Sequence, residues 1–138
     1  MPSLRPIDAN SPTPRSLAIS DREGEAMARA AIQLFDRWGL TDLQAAILLG
    51  ELPMRTYSRW KSGAIGRLSR DMKARLSDLM GIHKSLRIIF NDDRRVYEWI
   101  SKPNDAFGGK SALEIMLGGE LTDLIRVRRY LDAERGAW

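Results

Sequence analysis

Apolar and polar positions alternate with a helical period almost throughout this chain, and no convincing two-residue strand period interrupts them. Met27, Ala30, Ala31, Leu34, Phe35 and Trp38 recur at three- and four-residue spacing. They follow Ser20 and Glu23, a pair that can satisfy two N–H groups at a helix start. The pattern predicts a first helix over Asp21–Trp38, stopped by Gly39. Thr41 and Gln44 repeat the capping pair before a second helix with Leu43, Ala46 and Ile47 as its buried face, and Gly50 suits a left-handed turn. A third helix is expected over Pro53–Ser62, because a proline is tolerated in a first turn where its missing N–H has no partner anyway. Ser69 can cap a fourth helix bearing Met72, Leu76, Leu79 and Met80, closed by Gly81. A fifth, Lys84–Phe90, places Leu86, Ile89 and Phe90 inside, and a sixth, Asp93–Ser101, places Val96, Trp99 and Ile100. Pro103–Gly109 reads as a loop. Ser111 and Glu114 form a third capping pair ahead of Leu113, Ile115, Met116 and Leu117. After Gly118–Gly119, a last helix over Leu121–Glu134 carries Leu124, Val127 and Leu131 on one face. The expected fold class is all-α.

Residues 1–19, with Pro2, Pro6, Pro12 and Pro14, read as a flexible arm. A length of 138 residues suits one domain or two very small ones. The boundaries expected beyond the arm are 20–82 and 83–138. Hydrophobic residues, 43% of the chain, suffice for a core, and the longest apolar runs, Ala45–Leu49 and Ile115–Leu117, are too short to span a bilayer. The N-terminus lacks the basic-then-apolar pattern of a signal peptide. There is no cysteine, which removes disulfides, thiolate metal sites and a cysteine nucleophile, and fits a reducing cytoplasm.

The net charge of +4 changes the picture through its distribution. Residues 53–75 hold seven basic side chains (Arg55, Arg59, Lys61, Arg67, Arg70, Lys73, Arg75) against one acid, Asp71, whereas residues 82–138 hold ten against nine. A local basic patch suits a phosphate backbone, since neutralising phosphates releases counterions; a solvated basic helix face is the plainer alternative. Thr41–Gly63 adds a layout to the charge: helix, tight glycine turn, short basic and hydroxyl-rich helix. That is the layout of a helix-turn-helix, whose second helix enters the major groove; an ordinary helical hairpin with a polar outer face is the alternative. Tyr57 and Trp60, three apart, face inward in this reading, with Trp60 expected between the second and fourth helices. Arg55, Thr56, Ser58, Arg59 and Ser62 then face outward, arginine suiting guanine and hydroxyls or lysine suiting phosphate. The expected DNA-contacting set is Gln44, Arg55, Thr56, Ser58, Arg59 and Lys61.

Catalysis has little to stand on. His83 is the single histidine, placed beside a predicted helix start, with no cysteine or second histidine for a metal. Asp92 and Asp93 are adjacent, so they diverge on a helix or cap it. Gly108, Gly109 and Ser111 lack the spacing of a Walker loop. The protein is expected to bind rather than catalyse, with no metal and no cofactor.

Two stretches resemble the Xre/MbcA/ParS-type antitoxins, partners of RES-domain toxins. One is LLGELPMRTYSRWKSG (Leu48–Gly63), continuing through RLSRDMKARLSDLMGI (Arg67–Ile82); the other is WISKPNDAFGGKSALEIMLGGELTDLIRVRRYLDAERGAW (Trp99–Trp138). Ala112 stands where many relatives have proline before the leucine. The resemblance implies an Xre/Cro-like helix-turn-helix DNA-binding domain followed by a small helical toxin-binding domain. It also implies a toxin that consumes NAD or transfers ADP-ribose from it, inhibition by a C-terminal segment laid over the toxin's cleft, and repression of the protein's own promoter. The likeness also implies a homodimer, suited to a two-fold operator; the absence of cysteine and of a long apolar run leads to the expectation of a cytoplasmic protein without membrane contact. Arg126, Arg128, Arg129 and Arg135 offer donors for carboxylates, and Tyr130 and Trp138 are aromatic anchors of the kind enriched at binding hot spots. The expected toxin-binding set is Arg126, Arg129, Tyr130, Arg135 and Trp138. Glu134–Trp138, containing Gly136, is expected to extend from the body, so that deleting it spares folding and DNA binding yet abolishes neutralisation. The competing reading is a stand-alone helix-turn-helix regulator whose C-terminal half only dimerises or senses an effector.

Overall fold

Ser20, Thr41 and Ser111 each sit in extended backbone and accept a hydrogen bond from the N–H three residues on. Glu23, Gln44 and Glu114 in turn accept one from the N–H of the capping residue, so all three expected capping boxes form. The computed structural model describes residues 18–136. Among these are α1 (Asp21–Arg37), α2 (Asp42–Leu48), α3 (Met54–Lys61), α4 (Arg70–Ile89), α5 (Asp93–Glu98), α6 (Ala112–Met116) and α7 (Leu121–Gly136). Short 3₁₀ turns at Trp99–Ser101 and Asp105–Phe107 join α5 to α6. No strand is present among the described residues, as an all-α fold requires. The flexible arm expected over residues 1–19 falls almost wholly outside them.

One helix does most of the organising. The expected fourth and fifth helices are a single 20-residue α4, and Gly81 lies inside it rather than ending it. The reason is lateral: a Cβ on Gly81 would collide with the Arg128 guanidinium, which crosses α4 there. Glycine stops a helix when it adopts a left-handed backbone, but here it admits a neighbour. Arg128 donates to Asp78 Oδ1 at 3.0 Å and to the Ser77 carbonyl at 3.3 Å. Burial pushes the Asp78 carboxyl above the usual carboxylate range, against the hydrogen bond and charge of Arg128. Further along the same seam, Ser85 donates to Asp132 Oδ1 at 3.1 Å. Around these polar contacts Leu76, Leu79, Ile82 and Leu86 of α4 and Leu124, Val127 and Leu131 of α7 are buried, and α7 packs chiefly on α4. The opposite part of α4 packs on α1, where Lys73 donates to Asp21 Oδ1 at 2.8 Å and to the Ile19 carbonyl at 3.0 Å. A single hydrophobic cluster therefore runs from Ala28 to Leu131.

Two expected faces and one helix end shift. On α1 the buried stripe is Gly24, Ala28, Ala31, Leu34, Phe35 and Trp38, and Ala30 is exposed. On α2 the core is Ala45, Ala46 and Leu48, continued by Leu49, while Leu43 is 63% exposed. A helix of two turns offers two apolar faces of helical spacing, and α2 buries the one whose alanines permit close packing. At the C-terminus α7 continues past Glu134 to Gly136, so Arg135 belongs to the helix and not to a free tail.

His83 is mid-helix rather than near a helix start, half-buried against Tyr97, with its Nε2 3.3 Å from the Tyr97 hydroxyl. The Arg37 guanidinium covers the other ring at 4.9 Å from its centroid. Burial, then the charges of Arg87 and Arg37, holds the His83 pKa below its ordinary 6.5. The unfolded chain therefore binds a proton that the folded chain resists, and stability present above pH 6.5 is lost as pH falls through the depressed folded value. Melting temperature should decline between pH 7 and pH 5, and His83→Gln should flatten that decline; an unchanged slope in the variant would exclude His83 as its source.

Candidate functional site

Leu48 ends α2 and Met54 begins α3, with a tight turn between them. Gly50 (φ 80°) and Glu51 (φ 63°) are both left-handed, and the Leu52 N–H donates to the Ala46 carbonyl at 3.1 Å to close the turn. Arg75 of α4 fixes it from below. Its guanidinium accepts no water-facing role: it is buried, donates to Asp71 at 3.0 Å and to the Leu48 carbonyl at 3.4 Å, and lies where a Cβ on Gly50 would approach it at 3.0 Å. Glycine at this position answers both a backbone conformation and a close approach.

Tyr57 and Trp60 are buried on the inner face of α3, as their spacing predicts. The main contacts of α3 are with α1 and α2, so the second helix expected beside Trp60 is a neighbour of its helix, and α1 is the other principal one. Burial, together with Asp42 and Asp36, pushes the Tyr57 hydroxyl up to about 12, so it stays neutral. Arg55, Ser58 and Arg59 lie exposed on the outer face; Thr56 is half-buried at its flank. Lys61 turns aside, its Nζ 3.0 Å from Asp42 Oδ1 and 5.8 Å from the Tyr57 ring centroid. Gln44 is half-buried, its Oε1 accepting from the Thr41 N–H at 3.0 Å.

The seven cations of the basic window thus divide. Lys61, Lys73 and Arg75 hold carboxylates of the fold. Arg55, Arg59, Arg67 and Arg70 are exposed and make no ion pair among the described residues. Arg67 and Arg70 flank Ser69, which caps α4 by accepting from the Met72 N–H at 3.0 Å. In the sequence they are only charge, because the fold alone shows which lysines and arginines are already paired. One more electrostatic feature singles out α3. Every other α-helix among the described residues has an acid in its first turn; α3 has none, and Pro53 before it offers no side-chain cap. The positive end of its dipole is left for an outside anion.

A second surface forms around α7. The loop from Pro103 to Ser111 is closed by an isolated bridge between those residues, and Asn104 organises it. Its N–H donates to the Lys110 carbonyl at 3.0 Å, and its side chain accepts from the Ala106 N–H at 2.8 Å. The loop seats Phe107 against Tyr130, ring centroids 5.2 Å apart and edge to face. Tyr130 also stacks on Trp99 at 6.1 Å, and the Arg126 guanidinium sits 5.5 Å from the Phe107 centroid. Tyr130 is therefore half-buried, one face committed to its own protein. Arg126 and Arg129 are exposed, and neither makes an ion pair among the described residues. Arg128 is fixed on Asp78, and Arg135, half-buried, donates to Ser85 Oγ at 3.4 Å. Trp138 lies outside the described residues. Ala112 begins α6 under the intact Ser111–Glu114 box, so a proline is not needed to start that helix. Trp99 and Phe107 fall in different predicted elements, so the sequence does not reveal them as partners of Tyr130.

Among the described residues no group of histidine, cysteine and carboxylate side chains could hold a metal ion, and no helix is long and apolar enough to cross a membrane. Comparison with known proteins gives matches to two family models. The antitoxin Xre-like helix-turn-helix domain matches residues 18–81, and the antitoxin Xre/MbcA/ParS C-terminal toxin-binding domain matches residues 85–136. The uncharacterized protein y4oB of Sinorhizobium fredii is 42% identical over 131 residues, covering 95% of this chain and 97% of its own length.

Proposed function

The chain belongs to the Xre/MbcA/ParS-type antitoxins, joining a helix-turn-helix to a toxin-binding domain, and we propose that its toxin is a RES-domain protein that consumes NAD or transfers ADP-ribose. The C-terminal domain covers the toxin's substrate cleft, and the helix-turn-helix represses the promoter of its own operon. The protein works in the cytoplasm as a homodimer on a two-fold operator, within a larger complex with the toxin. Arg55, Ser58 and Arg59 meet base edges; Thr56, Gln44 and Lys61 hold the flanking backbone, joined by Arg67 and Arg70. Lys61 serves this role by exchanging Asp42 for phosphate. Arg126, Arg129 and Tyr130 meet the toxin, with Arg135 and Trp138 extending the contact beyond them.

The observation that carries the reading is the pair of exposed arginine sets that make no ion pair among the described residues, one on α3 and the start of α4, the other on α7. They share no residue, so the two activities can be separated by mutation. Arg126→Glu with Arg129→Glu should abolish toxin neutralisation in a growth-rescue assay, since reversed charges repel the carboxylates that arginine pairs with. Melting temperature and operator affinity should stay near those of the parent protein. Full rescue by this variant would move the inhibitory surface off α7.

The Arg135 side chain and the helical course of Glu134–Gly136 alter what a C-terminal deletion reports. Removing Glu134–Trp138 also removes the last α7 residues and the Arg135–Ser85 contact, so Ala137 and Trp138 alone are the cleaner truncation.

A further inference from the structure

We propose that Met54 reads a thymine methyl group in the major groove of the operator, an inference that rests on the helix-turn-helix reading of α3. Met54 is the first residue of that helix and is 44% exposed, whereas the helix's other large apolar side chains, Tyr57 and Trp60, are buried. It is absent from the hydrophobic cluster, so the core does not explain a methionine here. A recognition helix meets base edges with its N-terminal residues, and Met54 is followed at once by Arg55.

Helical spacing places Met54 and Ser58 on one stripe and Arg55 and Arg59 on the adjoining one. No side-chain cap and no first-turn acid stand between this end of the helix and a polyanion. On the base edges of the major groove the apolar group is the thymine C5-methyl. An unbranched, polarizable thioether fits such a small apolar target. The half-site that follows has a thymine beside the guanines that suit Arg55 and Arg59.

The test uses the full-length protein and duplexes enriched by it from a random pool. Each thymine of the enriched half-site is replaced singly by deoxyuridine, which deletes the methyl group and keeps every hydrogen-bonding edge. One position should weaken binding about fourfold, the worth of one buried methyl-sized group. Met54→Ala should bind the unmodified duplex correspondingly more weakly and be indifferent to deoxyuridine at that position. Arg55→Ala should lose affinity but keep the deoxyuridine effect. If Arg55→Ala loses affinity while no deoxyuridine position depends on Met54, Met54 is not a base reader and the helix-turn-helix reading stands. If wild-type protein enriches no sequence, or Arg55→Ala binds as wild type does, the recognition-helix reading itself fails, and this proposal with it.

Discussion

Trp60→Ala is expected to destabilise the protein by about 3–5 kcal/mol, the range for truncating a buried large aromatic. Trp60 is 3% exposed and shares the inner face of α3 with Tyr57. An eight-residue helix has little stability of its own, so α3 holds its place through these two side chains. The alanine variant should lose operator binding under conditions where α4 and α7 remain folded, because their shared seam lies elsewhere in the cluster. Chemical denaturation checks the magnitude. A loss under about 1 kcal/mol, typical of exposed positions, would mean that Trp60 does not anchor the helix.

Arg55→Ala with Arg59→Ala is expected to produce the largest loss of DNA affinity. Each arginine that reads a base contributes about 1–3 kcal/mol, and the two together span about 2–6 kcal/mol if they act independently. Both side chains are exposed and unpaired within the described residues, so thermal stability should hardly move. Toxin neutralisation should survive, since α7 is untouched. Unchanged operator affinity in the double variant would remove α3 from the DNA-binding surface. A loss that is uniform across sequences, with a shallower salt dependence, would assign the two arginines to phosphates rather than bases.

Much of the fold was legible because its signals are local. Capping pairs at Ser20, Thr41 and Ser111, and the left-handed Gly50, are read within four residues and recur in the structure. The inward Tyr57 and Trp60 were legible for the same reason: three-residue spacing on a short helix leaves one arrangement. What failed depended on neighbours distant in sequence. Gly81 looked like a helix end because Arg128, which crosses it, is far away along the chain. Leu43 looked buried because its helix presents two apolar faces and only its packing against α3 and the rest of the core selects between them. The candidate sites were legible as residue types but not as states. Lys61, Arg75 and Arg128 are as basic in the sequence as Arg55 or Arg129, and the fold alone shows them occupied by Asp42, Asp71 and Asp78. Tyr130 was legible as an aromatic near the C-terminus, but its stacking on Trp99 and Phe107 required the loop around Asn104 to close.

NAD turnover by the cognate toxin reports on the proposed block of a RES-domain toxin by the C-terminal domain of this antitoxin. Purified cognate toxin is assayed alone, with an equimolar amount of this protein, and with the Arg126→Glu, Arg129→Glu and Arg55→Ala, Arg59→Ala variants. Turnover should stop with the parent protein and with the α3 variant, and persist with the α7 variant. Undiminished NAD turnover in the presence of excess parent protein would show that the antitoxin does not block the toxin's active site.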